Sequence, residues 1–350
     1  EDPEYFADGG FKQRRKMIKR NSKYAQYFED YKRLRDNVND LIRNKGELGD
    51  TLEVLKAEAE NNPFVKEMLG QMYLYGNLVE ISPKTAQDYF AGGLEIYEED
   101  MNHISVKKSK FFKGYLEYKI GKMYERGWGT EQDSEIAASW FEASGTKYAI
   151  YCLGNLYYDG EGVEQDYQKA LKLYKYAAES ESNDLKLGSP FAILKCAKMY
   201  DAGIGTEANK EKSTKYYQEA LQYFLIAEEK QANALFEYQI GNMYYNGLGC
   251  EKDLQKAIQY LEEAVKEKNI PSILLLSNIY QEQMMEDKMK VILPDLEELA
   301  GKGENELAQY TLGRVYTKEW IFYDLEKGID YLTRSAEQGN QYAQYQLGKL

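Results

Sequence analysis

The sequence predicts an all-α protein, a solenoid of stacked antiparallel helix pairs entered through an N-terminal capping helix. Tyrosine ends a short phrase at 73, 124, 157, 200, 244, 280 and 316, at intervals of 51, 33, 43, 44, 36 and 36 residues. The phrases include Leu69-Gly-Gln-Met-Tyr73, Leu153-Gly-Asn-Leu-Tyr157 and Ile240-Gly-Asn-Met-Tyr244. Gly-x-Gly follows at 127/129, 160/162, 203/205 and 247/249, with Asp133, Asp166, Asn209 and Asp253 at one fixed offset beyond. No segment of useful length alternates with the two-residue period of a strand. A unit recurring at this interval buries its apolar face only against its neighbours, which makes a solenoid.

The chain divides into residues 1–50, a basic segment plus the capping helix, and residues 51–350, about seven repeats with the last one truncated. In the first part, Tyr24, Tyr27, Tyr31, Leu34, Val38 and Leu41 have the spacing of a helix that packs in a seam, here on the first repeat. The repeat grammar is clearest from Tyr148 to Glu179. Ala149, Cys152, Leu153, Leu156 and Tyr157 form one apolar stripe at helical period. Gly160-Glu-Gly162 then ends the helix, and Asp166 caps a second helix that buries Ala170, Leu171, Tyr174, Ala177 and Ala178. Other second helices carry a bulky pair in the same place, such as Tyr89-Phe90, Trp140-Phe141, Tyr216-Tyr217 and Tyr260-Leu261. Pro63, Pro190 and Pro271 fall in first turns, where the missing N–H costs nothing. Long second helices near 86–99 and 214–229 account for the wide intervals. The unit around Ser277 has lost its glycines and reads as degenerate, a place where the superhelix would change pitch. An eighth phrase, Leu347-Gly-Lys-Leu350, stops short of its tyrosine, so the expectation is either that the natural protein continues past Leu350 or that an uncovered end packs against another molecule, as in self-association.

Composition narrows the function. No run approaches the 18 apolar residues of a membrane span. Cys152, Cys196 and Cys250 are too few for a disulfide framework, and a reducing, cytoplasmic address is expected. The single histidine, His103, cannot build a zinc site with such scattered cysteines, nor a Ser/His/Asp or Cys/His constellation. No metal, cofactor or catalytic role is therefore expected. Net charge is −13, split unevenly: residues 1–45 hold 12 Lys/Arg and 8 Asp/Glu, or +4, and the remainder 33 and 50, or −17. The acidic array would repel nucleic acid, whereas Lys12, Arg14, Arg15, Lys16, Lys19 and Arg20 crowd six cations into residues 11–20.

The phrase Leu-Gly-x-Leu/Met-Tyr-x-x-Gly-x-Gly-x-x-x-Asp-x-x-Lys-Ala, almost whole at 153–170 and 240–257, resembles the Sel-one-like repeat, a relative of the tetratricopeptide repeat. The resemblance covers roughly residues 50–350 and implies right-handed superhelices that act as adaptors rather than catalysts. The closing run from Ser335 to Leu350, and Ile120 to Asp133, are also similar to the C-terminal repeat region of mobilisation relaxases from Gram-positive conjugative elements. That likeness implies the non-catalytic module of a DNA-nicking protein; the histidine cluster of a nicking domain is absent here.

The glycine turns follow helices and precede acidic residues, which disfavours a phosphate cradle, and N-capping accounts for the aspartates without calcium. The tyrosines on the apolar stripe read as core. The residue after each phrase glycine is the better candidate: Gln71, Lys122, Asn155, Lys198, Asn242, Asn278, Arg314 and Lys349 all carry a donor and none is acidic. On the first helix, the one expected to line the concave face, this ladder would hold an extended peptide or a protein partner. The function expected is a protein-binding scaffold; the alternative is an accessory nucleic-acid-binding factor acting through residues 11–20.

Overall fold

The computed structural model describes residues 22–44, 46–102, 110–179, 189–230, 232–302 and 305–350. Within them the regular structure is entirely helical: α1 Ser22–Arg43, α2 Thr51–Ala59, α3 Pro63–Tyr75, α4 Pro83–Met101, α5 Lys110–Arg126, α6 Ser134–Ser144, α7 Lys147–Asp159, α8 Tyr167–Ala178 and α9 Pro190–Ala202. There follow α10 Lys210–Lys230, α11 Ala234–Asn246, α12 Leu254–Lys266, α13 Ile270–Glu282, α14 Glu286–Lys302, α15 Glu306–Thr317, α16 Leu325–Glu337 and α17 Gln341–Leu347. Two compact units divide them, the first ending at Tyr223 and the second beginning at Phe224.

The helices pair as the repeat grammar requires: α3 with α4, α5 with α6, α7 with α8, α11 with α12, α13 with α14 and α15 with α16. A phrase residue explains each hairpin. Gly160 takes φ +75 at the end of α7, a conformation that costs glycine little, and its N–H returns to Leu156 O. Asp166 Oδ1 then accepts from Lys169 N at 2.8 Å, while its own N–H donates to Tyr157 O at 2.9 Å. The same closure joins Asp133 to Tyr124, Asn209 to Tyr200, Asp253 to Tyr244 and Asp324 to Tyr316. The conserved geometry thus uses the tyrosine backbone as well as its ring.

The glycine inside each phrase is a packing site. A Cβ on Gly70 would lie 2.5 Å from the Phe90 ring, on Gly121 2.7 Å from Phe141, on Gly154 2.8 Å from Tyr174, and on Gly313 2.5 Å from Leu332. These neighbours are the second members of the bulky pairs, all fully buried. The first members work differently. Tyr89, Tyr216, Tyr260 and Tyr331 stack within 10° of parallel on Tyr73, Tyr200, Tyr244 and Tyr316. The second glycine of each turn serves the next level: a Cβ on Gly162 would meet Ser134 C at 2.2 Å, and one on Gly205 would meet Tyr167 O at 2.4 Å. Both contacts fall on the first turn of the preceding pair's second helix, so this glycine sets the spacing between repeats.

The capping helix α1 buries Leu34 and Val38 among Leu55, Val65, Met68 and Leu69. Asn62 fixes it there, donating to Tyr27 O at 2.8 Å while accepting from Phe64 N at the start of α3. The short α2 lies between them and no repeat phrase announces it; it buries only Leu55 and Ala59. The long second helices are α4 and α10, each begun a turn earlier than expected. Ala178, expected in the core, is half-buried. In the degenerate pair a three-residue link replaces the glycine turn, and Met284 takes the left-handed conformation at φ +54. Among the described residues no helix is long and apolar enough to cross a membrane.

Candidate functional site

The donor column does not form a free ladder. Lys122 is only 6% exposed and ion-paired to Glu125 one turn along α5. Asn155 Oδ1 accepts from Tyr174 OH at 2.7 Å, and Asn242 Oδ1 from Asn246 Nδ2 at 2.8 Å. Gln71 is half-buried, whereas Lys198 and Lys349 are exposed. Asn278 and Arg314 are brought together, with Arg314 Nη1 donating to Asn278 Oδ1 at 3.1 Å across adjacent first helices. In the first unit the face beside the column is closed by aromatic packing: Phe64, Tyr115, Tyr118 and Tyr151 are all buried. Their rings run in contact from Phe64 to Tyr115 to Tyr118 to Tyr148, at 5.9–6.2 Å.

The second unit is different. Its first helices α11, α13, α15 and α17 lie side by side, and polar or aromatic contacts join each to the next. Tyr245 OH donates to Glu282 Oε2 at 3.0 Å from α11 to α13. Arg314 to Asn278, and Lys318 Nζ to Gln281 O at 2.9 Å, join α13 to α15. The Tyr310 and Tyr342 rings, 6.1 Å apart, join α15 to α17. On α15 the stripe Leu307, Tyr310 and Arg314, followed by the C-cap residue Lys318, lies opposite Ala308, Leu312, Val315 and Tyr316, which face the core. Leu307 is 48% exposed, and Tyr342 and Tyr345 on α17 more so.

Arg314 lies 5.8 Å over the Tyr310 ring and Lys349 4.2 Å over that of Tyr345. Gln281 is buried beside this strip with its side-chain oxygen unbonded. Arginine and tyrosine on an open helical face are the residues from which binding hot spots are built. Sequence reading found Asn278 and Arg314 but missed Leu307, Tyr310 and Lys318. For Leu307 and Tyr310 the signal was available, since they share the helical stripe of Arg314.

The tyrosine column is core at its edge rather than throughout. Tyr200, Tyr280 and Tyr316 are buried, but Tyr73, Tyr124, Tyr157 and Tyr244 are half-buried, each first helix burying its other faces instead. The phrase lysines cover the rings: Lys169 over Tyr157 at 3.9 Å, Lys256 over Tyr244 at 5.0 Å and Lys327 over Tyr316 at 4.2 Å. Burial, then the hydrogen bond to Glu297, push the Tyr316 hydroxyl up to about 12. Cys152 and Cys196 are buried, and burial lifts the Cys196 thiol to about 12, far from a reactive thiolate. No cluster of metal-ligating side chains occurs among the described residues. His103 and the basic segment, with Lys12, Arg14, Arg15, Lys16, Lys19 and Arg20, lie outside them.

Helix pairs whose second-helix side chains pack on first-helix glycines, leaving a helical face for other molecules, define the class of helical-repeat proteins. The Sel1 repeat model matches residues 67–91, 115–146, 147–182, 190–222, 234–269 and 306–340, more than half of the sequence. The chain belongs to the Sel1 repeat family, whose members generally serve as protein–protein interaction scaffolds. The degenerate pair α13–α14 is the one helix pair between two matched segments that the model passes over. Among curated proteins the sequence has no match. It is similar to a Sel1 repeat protein from Oxalobacter formigenes, 21% identical with a TM-score of 0.44, over 100% of this chain and 93% of that one. It is also similar to a protective antigen of uropathogenic Escherichia coli strains that displays an SLR fold, 22% identical with a TM-score of 0.34. That match covers 85% of this chain and 66% of the antigen, so this chain spans just under two thirds of its length. Neither these proteins nor the family model carries the relaxase resemblance.

Proposed function

We propose that this chain is a non-catalytic adaptor that takes a protein partner on the first-helix face of its second unit. The observation that supports this reading is the continuous strip from Tyr245 to Tyr345. There the column residues Asn278 and Arg314 bond to each other across adjacent first helices and stand among exposed aromatic and aliphatic side chains. Relatives with this repeat act as scaffolds, and the strip offers the aromatic and arginine anchors that such a role requires.

The test is site-directed photocrosslinking. A benzophenone residue in place of Leu307 should yield a discrete crosslinked protein from cell extract, and one in place of the exposed Ile136, on the second helix α6, should not. Equal yields at the two positions, or none at 307, would sink the reading. Lys122 is a poor probe here, because reversing a buried, ion-paired lysine perturbs folding by about 3–5 kcal/mol before it reports on binding.

A further inference from the structure

We infer that the partner segment held by this strip is acidic, a stretch in which Asp or Glu flanks aromatic residues. The inference rests on the adaptor reading and adds the chemistry of the ligand.

The argument is one of unspent charge. In a chain of net charge −13, cations usually find carboxylates. In the second unit Lys266 pairs with Glu263, Lys288 with Glu262, Lys290 with Asp287, Lys327 with Glu297 and Arg334 with Asp330. Among the described residues Arg314, Lys318 and Lys349 form no ion pair. Arg314 meets Asn278 and the Tyr310 ring, Lys318 meets the Gln281 carbonyl, and Lys349 meets the Tyr345 ring. Lys318 is the extended C-cap residue of α15, four residues beyond Arg314, and Lys349, two residues past the end of α17, holds the column position equivalent to Arg314.

Of the acids beside the strip, Glu282 is engaged by Tyr245, and the exposed Glu319 follows Lys318 in the chain. At the other end of the same stripe Leu307 and Tyr310 offer an apolar shelf, extended by Tyr342 and Tyr345. A segment lying along α15 would therefore meet aromatic surface at one end and, at the other, Arg314 and Lys318, whose partners among the described residues are a side-chain amide, a ring and a backbone carbonyl. An acidic, aromatic chain satisfies both, whereas a basic one would face like charge on the strip.

The experiment is fluorescence anisotropy with two labelled peptides, one with Glu and Asp flanking a central Phe-Tyr pair, the other with Gln and Asn in their place. The acidic peptide should bind at least about tenfold tighter, weaken several-fold between about 50 and 300 mM salt, and lose about tenfold with Arg314→Glu plus Lys318→Glu. Because Arg314 is half-buried, Lys318→Glu plus Lys349→Glu, both exposed, provides a second pair whose fold is not in question, checked by unchanged circular dichroism. Equal binding of the two peptides would overturn the inference, as would acidic-peptide binding indifferent to both variant pairs or no binding of either peptide. The adaptor reading is judged separately by the crosslink at position 307. A specific crosslink with peptide results of the adverse kind discards the acidic partner alone.

Discussion

At the scale of single residues, glycine separates three physical jobs that one letter hides in the sequence. Gly154 is helical, and its missing Cβ makes room for Tyr174. Gly162 sits at φ +66 with the preceding repeat's backbone against it, and Gly145 sits at φ +57 with nothing within 4 Å. Alanine should therefore be graded. Gly145→Ala should cost about 1 kcal/mol of left-handed strain, and Gly154→Ala about 1–3 kcal/mol of overpacking. Gly162→Ala should cost the most, because strain and a backbone clash coincide there. Urea unfolding of the three variants checks the order; Gly162→Ala as mild as Gly145→Ala would disprove the inter-repeat contact. Much of this was legible. The caps Asp133, Asp166, Asn209 and Asp253 and the turn glycines stand in the structure where the sequence places them. The burial of Lys122 and Tyr151 was not, because one helix's periodicity carries no information about what lies beside it.

At the scale of helix pairs, the repeats are locked by a recurrent ionic triad that spans three helices. Glu297 on α14 accepts from Tyr316 OH at 2.5 Å and from Lys327 Nζ at 2.8 Å, tying α14 to the next pair, α15–α16. Glu262, Tyr280 and Lys288 repeat the arrangement between α12 and the pair α13–α14. Desolvation alone would raise the Glu297 carboxyl, but the hydrogen bonds of Lys327 and Tyr316 outweigh it and hold the group below its usual value. The same bonds raise Lys327 against its own desolvation. A carboxylate lowered on folding stabilises above its unfolded pKa and loses that contribution as pH falls through the folded one. A lysine raised on folding stabilises below its unfolded pKa and loses it as pH climbs. The triad's contribution should therefore be flat from about pH 6 to 9, declining below about pH 4.5 and above about pH 10.5. Its size should stay under about 1 kcal/mol, since the Lys327 and Glu297 side chains are 41% and 37% exposed. Glu297→Gln should flatten the acid limb of a urea-midpoint profile taken from pH 3 to 7. An unchanged limb would show that the triad is ornamental. The lysine was visible in the phrase Asp-x-x-Lys-Ala, but its role was not, since its glutamate lies on the preceding pair at no fixed spacing.

At the scale of the whole molecule, one repeat grammar yields two differently finished faces. The first helices of the first unit close over Phe64, Tyr115, Tyr118 and Tyr151, burying Lys122 and engaging Asn155, while Lys198 stays exposed. Those of the second unit leave Leu307, Tyr342 and Tyr345 open, and Arg314 with the flanking Lys318 and Lys349 forms no ion pair among the described residues. The sequence shows the column but not this contrast, which depends on whether a large aromatic stands four residues before each column position on neighbouring helices. Tyr118 and Tyr151 do so on consecutive first helices of the first unit; in the second, Leu274 interrupts Tyr238 and Tyr310. Function in such an array is therefore set by which repeats leave their face unfinished. The consequence is measurable by hydrogen exchange with the acidic peptide bound. Amides of α13 and α15 should slow by several-fold, because an occupied face suppresses local opening. The corresponding first helices α3, α5 and α7 should exchange as in the free protein. Protection spread evenly over the first helices of both units would mean that the peptide reads the common repeat surface, and the strip at Arg314 would then have no special standing.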